Sequence, residues 1–172
     1  MPVISNTSPL LNLAIVEHLF LLRQQFGQIY IPAAVLTELK INENLPGSAA
    51  LQAAINEGWL ISRTVTNTAL VSLLRRDLHQ GESEAIVLAV ELSGERILLD
   101  EKEARQAARA LGLSVTGVLG IVLRAYHEGT VPSVQSVIQP YNKMRTFVLP
   151  QGYSLRFWTK LVRSSVFMAF LP

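Results

Sequence analysis

The run Ile97-Leu98-Leu99, entered from Arg96 and closed by Asp100, constrains the fold more than any other stretch. Successive residues of a strand point to opposite faces, so an unbroken apolar run is apolar on both and needs cover on both. That is the condition of a strand inside a parallel sheet with helices on either side. Shorter runs repeat the theme. Residues 3–5, 29–31, 59–61 and 113–115 read as further strands, and 96–100 as the clearest buried one. Between them lie helical patterns. Ser8-Pro9 is a favoured helix start, and a second helix follows residue 18 and ends by Gly27. Others are expected at 33–41, 48–57, 67–78, 82–92, 102–111 and 118–127, with a break at His79-Gln80-Gly81. Strands alternating with one or two helices predict an α/β fold, a three-layer α/β/α sandwich with a mostly parallel central sheet.

With 172 residues, 49% hydrophobic and 16% charged, the chain can bury a core without staples. The absence of cysteine excludes a disulfide scaffold, a zinc finger, an iron–sulfur site and a thiol nucleophile. Apolar runs stop far short of the roughly 20 residues needed to span a bilayer, and the first residues show no basic segment followed by an apolar one. A cytoplasmic protein with no membrane partner is therefore expected. The last acidic residue is Glu128, and Lys143, Arg145, Arg156, Lys160 and Arg163 follow it unopposed. A body of net −3 thus carries a tail of net +5, a solvated basic face or a phosphate-binding one. The pattern weakens past Pro132, so residues 1–130 are expected to form the domain and 131–172 a helical extension or arm.

In a parallel sheet, ligands collect at the carboxyl ends of the strands. The polar residues placed there are Asn6, Thr7 and Ser8 after the first strand, Glu38, Glu82 and Glu84 in later helices, Asp100 and Glu101 after the apolar strand, and Thr116-Gly117 after the last. An acid and hydroxyl set without histidine suits a hard cation such as Mg²⁺ or Mn²⁺. Glu82 precedes Asp100 by 18 residues, the length of a helix, a turn and a strand, so both carboxylates are expected to face one crevice. Each position also has a simpler explanation. Acids at the start of a helix suit its dipole, and Asn6-Thr7-Ser8-Pro9 and Asp100-Glu101 are good capping sequences. His18, His79 and His127 lack metal spacing, and no phosphate-binding glycine loop occurs.

Five segments in this order, Val3-Ile4-Ser5-Asn6-Thr7-Ser8-Pro9-Leu10, Ile31 through Leu39, Gly81-Glu82-Ser83-Glu84-Ala85-Ile86, Leu98-Leu99-Asp100-Glu101 with Ala104-Arg105, and Thr116 through Gly120, resemble the PIN-domain proteins. They are closest to the VapC-type toxin ribonucleases and to a prokaryotic PIN-like branch of unknown function. The resemblance covers residues 3–130. It implies a metal-dependent, single-strand-cleaving ribonuclease, the toxin of a toxin–antitoxin pair, in which acids hold Mg²⁺ or Mn²⁺ to activate water. Carried over by position, Glu38, Glu82 and Asp100 match the second, third and fourth acids, and Thr7 or Ser8 the hydroxyl after the first. Glu84 and Glu101 are further candidate ligands. The first acid, Asp in the nucleases, is Asn6 here, which can offer an amide oxygen but no charge and no base. Lys102 stands where many toxins carry another Asp. The implied partners are single-stranded or structured RNA, a small antitoxin protein and a second copy of the chain. The competing expectation is a catalytically weak or inactive module that binds RNA or a partner protein.

Overall fold

A computed structural model describes residues 2–137. In chain order the elements are β1 (Val3–Ser5), α1 (Thr7–Ile15), α2 (Phe20–Phe26), β2 (Ile29–Pro32), α3 (Ala33–Glu38), α4 (Ser48–Asn56), β3 (Leu60–Arg63), α5 (Thr68–Leu74), α6 (Gln80–Glu91), β4 (Arg96–Leu98), α7 (Lys102–Ala110), β5 (Ser114–Thr116) and α8 (Val118–His127). The five strands form one sheet in the order β3-β2-β1-β4-β5. All four pairings are parallel, with Val3 opposite both Ile29 and Arg96, and Leu98 opposite Thr116. The α/β sandwich expected from the alternation of runs is the fold observed.

The period-two rule assigns the two faces. Val3, Ile29, Ile31, Leu60 and Leu98 point into a larger core shared with α1, α2, α4 and α8. Ile4, Ile97 and Leu99 point the other way, onto Ala85, Ile86, Leu88 and Ala89 of α6 and Ala104 and Ala108 of α7. Ile97, Leu98 and Leu99 are each 0% exposed, so the apolar run is buried on both sides of the sheet as its sequence requires.

Several ends differ from expectation, each for a local reason. Helix α1 begins at Thr7, not at Ser8-Pro9, because Asn6 is the cap and its Oδ1 accepts from the Thr7 N–H at 2.6 Å. Pro9 is then the third helical residue, still among those whose N–H has no partner within the helix. Helix α3 stops at Glu38 rather than running to residue 41, since Lys40 turns to a φ of 47°. Helix α6 starts at Gln80, inside the expected break, because Glu82 reaches back to the His79 N–H at 2.9 Å. The pairing of β4 ends at Leu98. Its carbonyl takes the Asn6 N–H at 3.1 Å, after which β1 has turned into α1 and offers no further rung. The Leu99 carbonyl is taken instead by Arg105 Nη1 at 2.9 Å.

Val131, Val134 and Val137 are buried in the larger core, so packing continues past the boundary expected at residue 130. Most of the expected arm, and the basic residues Lys143, Arg145, Arg156, Lys160 and Arg163, lie outside the described residues. Among the described residues no helix is long and apolar enough to cross a membrane.

Truncating the centre of the buried run tests this account of the core. Ile97→Ala is expected to lower unfolding free energy by about 2–5 kcal/mol in urea titrations, the range for a fully buried aliphatic side chain. A loss below about 1 kcal/mol would contradict it.

Candidate functional site

Strands β1 and β4 are neighbours, but their chains leave the sheet on opposite faces. β1 runs into α1 in the larger core, and β4 runs through Asp100-Glu101 into α7 in the smaller one. Where two parallel strands diverge in this way, a crevice opens at their carboxyl ends. Here it has a volume of about 550 Å³ and is lined by Asn6, Thr7, Ser8, Glu38, Glu82 and Glu101, with Lys40, His79 and Gln80 at its margin.

Each carboxylate is held by the protein. Glu38, the last residue of α3, accepts from the Gly81 N–H at 3.1 Å through Oε1 and from the Thr7 hydroxyl through Oε2. Gly81 makes room for this bond, because a Cβ at that position would stand 2.6 Å from both Glu38 oxygens and displace the carboxylate. Glu82, only 6% exposed, accepts from the His79 N–H. Glu101 accepts from the Ser8 hydroxyl, and Asn6 Nδ2 faces its other oxygen at 3.5 Å, a weak contact. Asn6 therefore turns its oxygen to its own helix and its NH₂ group toward the acids, so its amide acts as a donor in the crevice rather than as an oxygen ligand.

The six candidate residues do not all meet. Asn6, Glu38, Glu82 and Glu101 line one crevice. Asp100, expected to share it with Glu82, lines a neighbouring opening with Arg105 and Gly117. The physical reason is helix capping: Asp100 Oδ1 takes the Val118 N–H at 2.8 Å at the start of α8, and Oδ2 takes Asn12 Nδ2 at 3.2 Å. Glu84 lies in neither opening. It binds the Ala34 N–H at 3.2 Å and Gln80 Nε2 at 2.8 Å, tying the start of α3 to α6. Of the β4–α7 pair, the acid facing the first crevice is thus Glu101. Sequence reasoning passed over Asn12, although a polar residue inside Leu10-Leu11-Asn12-Leu13 signals a buried partner, and it is 4% exposed. Lys40 and Gln80 left no comparable signal.

The electrostatics follow from this crowding. Burial pushes the Glu82 carboxyl above the usual range, the His79 N–H opposes the rise, and the negative charges of Glu101 and Glu38 add to it. Burial also pushes Asp100 up to about 6, against the Val118 hydrogen bond, with the Glu101 charge adding to the rise. A capping role accounts for one oxygen of Glu82. It does not account for placing that group beside two other acids.

The donor chemistry around the first crevice, carboxylates and hydroxyls with no sulfur, fits a hard divalent cation. As they stand, no three His, Cys, Asp or Glu side chains converge as a metal cage among the described residues. The Thr7 and Ser8 hydroxyls each engage one oxygen of Glu38 and Glu101, which leaves lone pairs on both carboxylates.

A family model described as a PIN domain matches residues 2–156. No curated protein and no solved structure matches significantly.

The elevated Asp100 carboxyl has a sign that can be measured. Its folded value, about 6, lies above the usual 3.8, so the folded state binds the extra proton and stability is lost as pH rises between them. In chelator, unfolding free energy is expected to fall by roughly 1–2 kcal/mol from pH 4 to pH 7 on account of this group, which keeps some contact with water. Asp100→Asn should flatten that part of the profile. Superimposable pH profiles for wild type and variant would contradict the assignment.

Proposed function

The chain belongs to the PIN-domain family, a nuclease-type family that generally uses divalent metals, and from that premise we propose that it is a Mg²⁺- or Mn²⁺-dependent ribonuclease acting on single-stranded RNA. The observation that carries the reading is the gathering of Glu38, Glu82 and Glu101 around one open crevice at the divergence of β1 and β4. Each acid also has a structural hydrogen bond, but a cation would relieve the mutual repulsion of the three. Glu38, Glu82 and Glu101 would hold it. A divalent ion in that place supplies charge to a phosphate oxygen and acidifies the attacking water.

The chain's own groups do the rest. Thr7 and Ser8 hold Glu38 and Glu101 at the crevice wall, and Gly81 admits the Glu38 carboxylate close to the α6 backbone. Glu82, whose carboxyl burial pushes above the usual range, is the crevice acid most ready to take up a proton. Asn6 brings an uncharged donor where the family's nucleases carry Asp. That lowers the negative charge of the set, so weaker cation binding and one metal rather than two follow.

In a toxin–antitoxin setting, a small antitoxin protein would cover this crevice and the chain would act as a homodimer. The second reading, a module that binds RNA or a protein without cutting, is favoured by one observation. The crevice carboxylates already have protein donors, and Asn6 points its NH₂ at them.

Calorimetric titration with Mn²⁺, together with cleavage of a labelled single-stranded RNA, separates the two. Glu38→Gln and Glu101→Gln are each expected to weaken Mn²⁺ binding by about tenfold or more and to abolish cleavage, while Asp100→Asn changes the affinity by less than about threefold. Asn6→Asp should tighten binding. A wild type that neither binds Mn²⁺ nor cuts, while Asn6→Asp does both, removes the nuclease reading for this chain and leaves the binding module.

A further inference from the structure

Glu101 faces the acid crevice, but the preceding residue, Asp100, faces a second opening of about 510 Å³ between α7 and α8. Its walls are of two kinds. Leu119 and Leu123, one turn apart on α8, give an apolar side, and Arg105 from α7 gives a cationic one. Gly117 and Gly120 also line the opening, for different reasons. A Cβ on Gly117 would stand 2.7 Å from Arg105 Nη1 and 2.9 Å from Asp100 Oδ1, so both side chains would have to move to admit one. A Cβ on Gly120 would meet only Thr116 Cγ2, a tight contact at 3.3 Å that asks that methyl to give by a few tenths of an ångström. Gly120 sits within α8, where glycine costs about 1 kcal/mol relative to alanine, and it adds no side chain to this wall of the opening.

The charge of the opening is decided by its hydrogen bonds. Both Asp100 oxygens accept from the protein, Oδ1 from Val118 and Oδ2 from Asn12. One Arg105 nitrogen donates to the Leu99 carbonyl, and no carboxylate stands within ion-pair distance of the guanidinium among the described residues. The Asp100 charge reaches the guanidinium from beyond that distance, and the donors not spent on Leu99 are left to an anion. A planar guanidinium next to an apolar wall matches a phosphate joined to an unpaired base.

We infer that this opening is the subsite for one nucleotide of a single-stranded RNA, with the base against Leu119 and Leu123 over Gly120 and its phosphate on Arg105. The inference takes its substrate class from the ribonuclease reading. It adds the origin of strand selectivity, because a base paired in a duplex cannot enter the slot.

The test uses the full chain and fluorescence anisotropy of a short labelled RNA in EDTA, single-stranded or annealed to its complement, with Mn²⁺-dependent cleavage assayed in parallel. Gly120→Leu puts a side chain into the slot, and a melting curve recorded beside that of the wild type checks that it folds. It is expected to weaken single-strand binding about tenfold and to leave the salt dependence alone. Arg105→Met should weaken binding similarly and lower the slope of log affinity against log salt by about one, whereas Arg105→Lys keeps the slope. The wild type should bind the duplex more weakly than the single strand. Unchanged affinity in Gly120→Leu, an unchanged slope in Arg105→Met, equal binding of duplex, or a wild type that binds no RNA would each overturn the subsite. Cleavage at unchanged kcat/KM in both variants would remove the subsite and leave the nuclease. A wild type that does not cut, while these variants lose RNA binding, would remove the nuclease and leave the subsite.

Discussion

One hydrogen bond marks the place on which the rest depends: the Asn6 N–H on the Leu98 carbonyl, the last rung between β1 and β4. Beyond it the two chains must part, because α1 belongs to one core and α7 to the other. The burial that enforces this is symmetrical. Ile97 and Leu99 are held on one face of the sheet and Leu98 on the other, so β4 cannot shift by one residue without exchanging the faces of its side chains. The divergence therefore sits at a fixed point. Everything polar within reach, from the cap of α1 to the turn before α7, is presented to the crevice that it opens.

Three acids in so small a space are tolerated because each is given at least one hydrogen-bond donor. Thr7 and Ser8 of α1 serve Glu38 and Glu101, and the backbone of residues 79 and 81 serves Glu82 and Glu38. These bonds oppose, without cancelling, the burial and the neighbouring charges that together raise the Glu82 carboxyl. Asn6 contributes to the same balance. An aspartate there would set a fourth negative charge against Glu101, whereas the amide offers that oxygen a donor. The carboxylates thus have hydrogen-bond partners within the protein and stand around the same crevice.

The sheet was legible in the sequence because a run such as Ile97-Leu98-Leu99 has few places to go, and the layers follow from it. The membership of the crevice was less so. Asp100 and Glu101 are adjacent and chemically alike, and which of them faces the acids is decided by the Val118 N–H and by Asn12, contacts made across the fold. The choice of Asn6 over Ser8 as the cap of α1 is of the same kind, since the Ser8 hydroxyl is already engaged by Glu101. The earlier start of α6 was readable in principle, from His79 and Glu82 three residues apart. The gap left by Gly120 was not, because a glycine in a helix says nothing about what stands opposite.

The central claim is that the cation of this site rests among Glu38, Glu82 and Glu101, with Asp100 outside it. Anomalous scattering from a crystal soaked in Mn²⁺ tests this most directly. The account predicts a peak within ligand distance of Glu101 and at least one of Glu38 and Glu82, with Asp100 still bonded to the Val118 N–H. A peak coordinated by Asp100, or a soaked crystal with no peak in the crevice, would contradict it.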